Sequence, residues 1–263
     1  MINSNFKNLI ENTKEEFIGY GNPDAEILII GKECAIDPEN DKDGIYELSI
    51  TRNREQWGSI INNPEIPSPD NILSWFSPCS KEEKFSPLFP FKGQLFTKRR
   101  KDKNGNISEK KGTSDTWYNY QKLTDKIYDN SSKAKDNEID FLEHCFITEF
   151  SAVCSPYSRK GSKVAQSIKD RTENLLNHPF FTSFPIIIVA CGPYIDLYKI
   201  NLQELFDVEW DKQTIRIEGT RSNWYNLHKG KGKVLIHTNQ LSMNISDKLL
   251  VQIANECRSY KRK

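Results

Sequence analysis

Residues 26–30, Glu-Ile-Leu-Ile-Ile, form an almost unbroken run of isoleucine and leucine closed by Gly31. The run is too short for a typical helix and has no polar alternation, so it reads as a β-strand buried on both faces. Such a strand belongs in the middle of an α/β sheet. In open parallel sheets chemistry collects just beyond the carboxyl ends of the strands, which directs attention to residues 31–35 and to Glu33.

Three further segments fit the same plan. Residues 145–150, 185–192 and 233–236 are short apolar runs; the third runs straight into His237. Helical spacing of apolar residues predicts helices over 5–17, 114–128, 163–176 and 247–257, the last introduced by Ser246 as an N-cap. Strands separated by helices predict an α/β fold, a three-layer sandwich around a central, largely parallel four-stranded sheet. With 263 residues the chain is expected to form a single domain.

Between the first strand and the second lies a different kind of sequence. Six of the twelve prolines fall within residues 60–95, which argues against long strands or helices there. Residues 98–111 hold seven Lys or Arg, among them Lys98, Arg99 and Arg100, around an Asn104-Gly105 pair that favours a hairpin turn. The 37 basic side chains nearly cancel the 36 acidic ones, so attraction to nucleic acid must come from local clusters such as this one. A solvated loop is the competing reading. Residues 60–113 are therefore expected to be an insertion in the domain.

Some classes are set aside by what the sequence lacks. It has no basic segment followed by a long apolar run, and no eighteen consecutive apolar residues, so a cytoplasmic protein without a membrane span is expected. The six cysteines contain no C-x-x-C pair, which argues against a zinc ribbon or an iron–sulfur cluster; no metal or organic cofactor is expected.

The strand ends offer Gly31-Lys32-Glu33, Glu149, Gly192-Pro193-Tyr194 and His237-Thr238-Asn239-Gln240-Leu241-Ser242. Two carboxylates and a histidine at neighbouring strand ends make a plausible hydrolytic set. The order Gly21-Asn22-Pro23, apolar strand, Gly31; Phe146-Ile147-Thr148-Glu149; 186–192; then the His237 loop resembles the uracil-DNA glycosylase superfamily. There a G-N-P-x-A lead-in often precedes the first strand, and the last strand ends in an H-P-S-P-L-S-like loop, here H-T-N-Q-L-S. The resemblance covers residues 21–46 and about 145–253; residues 50–144 match poorly, and the iron–sulfur cysteines of some members are absent.

The resemblance implies a monomeric DNA glycosylase that flips a base out of the duplex. It implies catalytic roles for Glu33 and His237, and contacts to the base from Gly31, Lys32, Tyr46 and Glu149. Leu241 would fill the vacated stack, with Ser242, Asn239 and the basic loop at Lys98, Arg99 and Arg100 along the DNA. Glu149 stands where many members use Asn to read uracil. An ionised carboxylate accepts hydrogen bonds and donates none, so the recognised base stays open, as does the choice between single and double strands. Two other classes remain: a nucleic-acid-binding module of this fold without turnover, and a hydrolase of free nucleosides or nucleotides, which needs neither Leu241 nor the basic loop. Each site residue also has a structural reading: Glu33 as a helix cap, His237 as a hydrogen-bonded core histidine, Leu241 as core, Tyr46 as packing, Glu149 as half of an ion pair.

Overall fold

The alternation of side chains along the first predicted strand divides the molecule into two cores. In the computed structural model, which describes residues 3–34, 38–40, 46–62, 85–90, 115–128, 140–154, 161–242 and 244–261, this segment is strand β2, Ile27–Gly31, buried throughout. β1 is the two-residue strand Tyr20–Gly21 before it. Ile27 and Ile29 face one apolar cluster, Leu28 and Ile30 the other. A strand with no polar face must be covered on both sides, and helices supply the cover.

On the first face lie α3 (Asp115–Ile127), α4 (Phe141–His144) and α9 (Asp247–Lys261), contributing Leu123, Phe141 and Ile253 among others. On the second lie α1 (Ser4–Asn12), α2 (Asn53–Asn62), α5 (Ser162–Arg171), α6 (Pro179–Thr182), α7 (Tyr194–Tyr198) and α8 (Leu202–Phe206). Phe6, Trp57, Phe146 and Phe180 meet there, with ring centroids 4.7–6.0 Å apart and mostly edge to face, the arrangement the ring quadrupoles favour.

The sheet is mixed and has seven strands where four were expected. Within it β5 (Cys145–Glu149), β2, β6 (Ile186–Val189) and β9 (Lys233–Thr238) are neighbours and run parallel. β1 adds antiparallel to β5 at one edge. At the other edge β8 (Trp224–Gly230) and β7 (Glu209–Arg216) add antiparallel to β9. Two residues are too few for β1 to leave a pattern. β7 is mostly exposed, carries charges along its length, and has an irregularity between Trp210 and Thr214 where Lys212 takes φ 62°, so it lacks the alternation that marks a strand.

A small antiparallel pair, β3 (Phe85–Ser86) with β4 (Phe89–Pro90), lies within the proline-rich stretch, and Pro87 O accepts from Gly21 N at 2.9 Å. The first helix ends at Asn12, short of the predicted 17. The chain then passes without regular structure through Ile18 and Gly19, whose backbone is bracketed by Asn53: its Oδ1 accepts from both amides and its Nδ2 donates to Gly19 O. Ser246 Oγ accepts from Leu249 N, the N-cap the sequence signalled for α9. The basic loop at 98–111 lies outside the described residues.

Candidate functional site

Parallel pairing brings the carboxyl ends of β2, β5, β6 and β9 to one rim, and hydrogen bonds continue past the strands. Phe150 N donates to Gly31 O (3.0 Å), Ser151 N to Lys32 O (2.9 Å), Ala190 N to Ile30 O (2.8 Å) and Gly192 N to Thr238 O (2.9 Å). The rim is thus backbone held in register beyond the regular sheet.

Glu33 stands just beyond β2. Tyr194, at the start of α7, donates its hydroxyl to Glu33 Oε2 at 2.5 Å, a short charge-assisted geometry. The ammonium of Lys32 lies 4.9 Å from the centre of the Tyr194 ring, over its negative face. Gly192, with φ 56°, turns the chain between β6 and α7 so that Tyr194 points back at Glu33. Tyr194 was visible in the sequence as part of a strand end, but nothing in its local pattern gave it a partner 161 residues away.

Glu149 closes β5. Its Oε2 is shut away from solvent and has no hydrogen-bond partner among the described residues. It lies against Gly31, where any side chain would collide with the carboxyl. Burial, and then the negative charge of Glu33, push its pKa up to about 8, with Arg171 pulling weakly the other way. Both causes favour the neutral acid, and Glu149 makes no ion pair among the described residues. The guanidinium of Arg171, 1% exposed, is committed elsewhere: to Glu149 O (3.0 Å), Phe17 O (2.6 Å), Thr148 Oγ1 (3.0 Å) and Glu15 Oε2 (3.3 Å). It ties the backbone under the rim to Phe17, in the segment ahead of β1.

Cys34 and Cys154, both free thiols, meet beside these carboxyls. Their hydrogen bond, with burial and the charge of Glu149, raises the Cys34 pKa well above its ordinary value and keeps it a thiol, which removes it as a nucleophile at neutral pH. Tyr46 is half-buried against the same core; burial and then Cys154 raise its pKa, which puts it at this rim.

His237, near the end of β9, is buried with Nε2 2.8 Å from Gly192 O. A carbonyl only accepts, so Nε2 carries the proton and Nδ1 is the lone-pair nitrogen. Burial lowers its pKa, with the Gly192 carbonyl and Asp196 opposing, and Trp224 packs its ring edge-on at 4.9 Å. His237 reaches Glu33 through a relay: it fixes Gly192, which sets the turn that carries Tyr194.

The loop after β9 corrects one expectation. Leu241 is fully buried in the core, so it does not stand out as a wedge for a base stack. Asn119 Nδ2 donates to Ser242 O at 2.7 Å, while Asn239 accepts from Trp224 N (2.8 Å) and donates to Ser222 O (2.9 Å), and these amides draw the loop inward. The structural reading holds for Leu241 and describes what Asn239 and Ser242 do here. Lys98, Arg99 and Arg100 lie outside the described residues. No helix among the described residues is long and apolar enough to cross a membrane, and no group of three or more His, Cys, Asp or Glu among them is placed to hold a metal ion.

No family model, curated protein or solved structure matches this chain.

Proposed function

We propose that the protein hydrolyses the N-glycosidic bond of uracil or another modified base in DNA, on a fold of the uracil-DNA glycosylase kind. The observation that carries this reading is the convergence of Glu33, Glu149, Tyr194 and His237 at the carboxyl ends of four adjacent parallel strands. The order in which the chain delivers them is the order of the motifs in the sequence.

The chemistry needs two different environments close together. As the bond breaks, positive charge builds on the sugar and negative charge on the departing base. Glu33, oriented by the Tyr194 hydroxyl, is placed to steer a water and to stabilise the sugar cation. Glu149 lies on the base side with its ionisation suppressed. Two carboxyls whose environments separate their protonation states can take opposite roles at one pH. His237 serves as a positioning residue, because its Nε2–H is already committed to Gly192. Tyr46 supplies an aromatic face at the same rim.

The test is incubation with end-labelled single- and double-stranded oligonucleotides carrying one uracil, followed by alkaline cleavage of abasic sites. A shortened strand with wild-type protein, absent with Glu33→Gln, is the expected result. Binding without scission on a panel of modified bases would replace the reading with a non-catalytic module. The burial of Leu241 favours one second reading, a hydrolase of free nucleosides or nucleotides, which has no stack to fill. Base release from a nucleoside but not from an oligonucleotide would establish it.

A further inference from the structure

Among the five described cysteines, Cys145, Cys191 and Cys257 are sealed in the cores, and Cys34 alone is partly exposed. Cys34 lies beyond β2 and Cys154 beyond β5, on two segments that leave the sheet side by side: Gly31 pairs with Glu149, Phe150 N donates to Gly31 O and Ser151 N to Lys32 O. The two side chains are hydrogen-bonded sulfur to sulfur, Tyr20 faces both, and Cys154 Sγ is also 3.7 Å from Ala152 O within its own segment. Cys34 follows Glu33 directly, and Cys154 lies beside Tyr46. The pair therefore bridges the two backbone segments that frame the rim, and neither thiol has a part in the hydrolysis set out above.

Two thiols already in contact need only close to a bond of about 2.05 Å once two hydrogens are removed. We propose that Cys34 and Cys154 form a reversible disulfide by exchange with a small-molecule disulfide such as oxidised glutathione, a covalent clasp between the β2 and β5 segments at the rim. The thiolate of one cysteine attacks a sulfur of the oxidant, giving a mixed disulfide and releasing one glutathione thiolate. The thiolate of the other then attacks the protein sulfur of that mixed disulfide, which forms the Cys34–Cys154 bond and expels the second glutathione. Two protein thiols are oxidised, one glutathione disulfide is reduced to two thiols, and the two protons pass from the cysteines to the departing sulfurs. The bond to Cys154, burial and the charge of Glu149 keep the thiolate of Cys34 scarce, so the uncatalysed exchange takes hours. Because Glu33 precedes Cys34, oxidation fixes the backbone that carries it, and the rim responds to the thiol–disulfide balance of its surroundings. The inference concerns the thiols alone and does not rest on the glycosidic reading.

The experiment incubates the reduced full chain with oxidised glutathione at pH 8 for a day, for wild type, Cys34→Ser and Cys154→Ser, with circular dichroism confirming that each is folded. Acid then quenches the exchange, free thiols are alkylated, and unreduced peptides are mapped by mass spectrometry. Wild type should yield one cross-linked species within a single chain, Cys34 joined to Cys154, about 2 Da lighter than the two reduced peptides together and separated again by dithiothreitol. Cys154→Ser should stop at glutathione bound to Cys34, since no second thiol is there to expel it, and Cys34→Ser should form no cross-link. Cys79, outside the described residues, is the competing partner that the map would reveal. Wild type that keeps both thiols free, that retains glutathione on Cys34 to the same extent as Cys154→Ser, or that joins Cys34 to Cys79 or to a second chain would each overturn the proposal.

Discussion

At the amino end of the parallel strands, Lys233 donates to the carbonyls of Thr182 (2.7 Å) and Phe206 (3.1 Å), and Lys261 pairs with Glu26 (2.7 Å) while donating to the Tyr128 hydroxyl (3.0 Å). At the carboxyl end, Glu149 keeps an oxygen buried and unmatched, and Glu33 is held by a tyrosine rather than by a cation. The amino end also carries an open groove of about 830 Å³ lined by Glu26, Lys229, Tyr260 and their neighbours. The contrast teaches that the two ends differ in how far their polar groups are matched. Glu26 and Glu256 of the groove have found partners in Lys261 and Tyr225, whereas the rim holds a buried carboxyl oxygen that has none among the described residues, a feature that calls for an explanation.

Six substitutions break or sharpen this contrast. Glu33→Gln should lower turnover at least about a hundredfold, while Lys233→Met at the opposite end leaves turnover of the folded protein unchanged; equal losses in steady-state assays would erase the distinction between the ends. Arg171→Met should cost about 3 kcal/mol or more in urea unfolding, because two carbonyls and a hydroxyl lose their donor inside the protein.

Glu149→Gln tests the suppressed ionisation through stability. The native carboxyl holds its proton to about pH 8, whereas the unfolded one releases it near pH 4 to 5. Between those limits the native state binds more protons, so wild-type stability declines as pH rises, and the contribution present below that window is lost by pH 8. The glutamine variant has no such proton. The wild type should therefore lose stability relative to it by up to about 1 kcal/mol per pH unit from pH 5 to 8, read from paired denaturant melts. Gly31→Ala should cost about 1–3 kcal/mol by driving a methyl into the Glu149 carboxyl. Lys261→Ala, which breaks an exposed pair with Glu26, should change stability by less than about 1 kcal/mol.

The parts of this arrangement that were legible in the sequence are those written in local pattern. The isoleucine run of β2 announces burial on both faces, and the rule that chemistry gathers at carboxyl strand ends points to Glu33, Glu149 and His237 before any coordinates are seen. What escaped depends on distant partners. Arg171 reads as an ordinary basic residue of a helix, and only the fold reveals that it satisfies backbone from residues 17 and 149 at once. Leu241 fits a family position and is drawn into the core by Asn119, more than a hundred residues upstream. The antiparallel margin of β7 and β8 was missed because its outer strand buries too little to need a periodic sequence. His228 stacks on Trp210 across that margin, and both its ring nitrogens lack hydrogen bonds among the described residues.

The sheet order has a consequence for how the protein is made. Among the described residues β2 pairs with β5 and β6 and with no strand nearer in the chain, so its first described neighbour begins at Cys145. At ordinary rates of translation that gap lasts roughly ten seconds. Until that partner emerges this fully buried strand has both edges open, flanked by Glu26 and Lys32, whose charges discourage it from pairing with another nascent copy. The same two residues that border the strand in the finished fold are its guards while the rest of the sheet is still being synthesised.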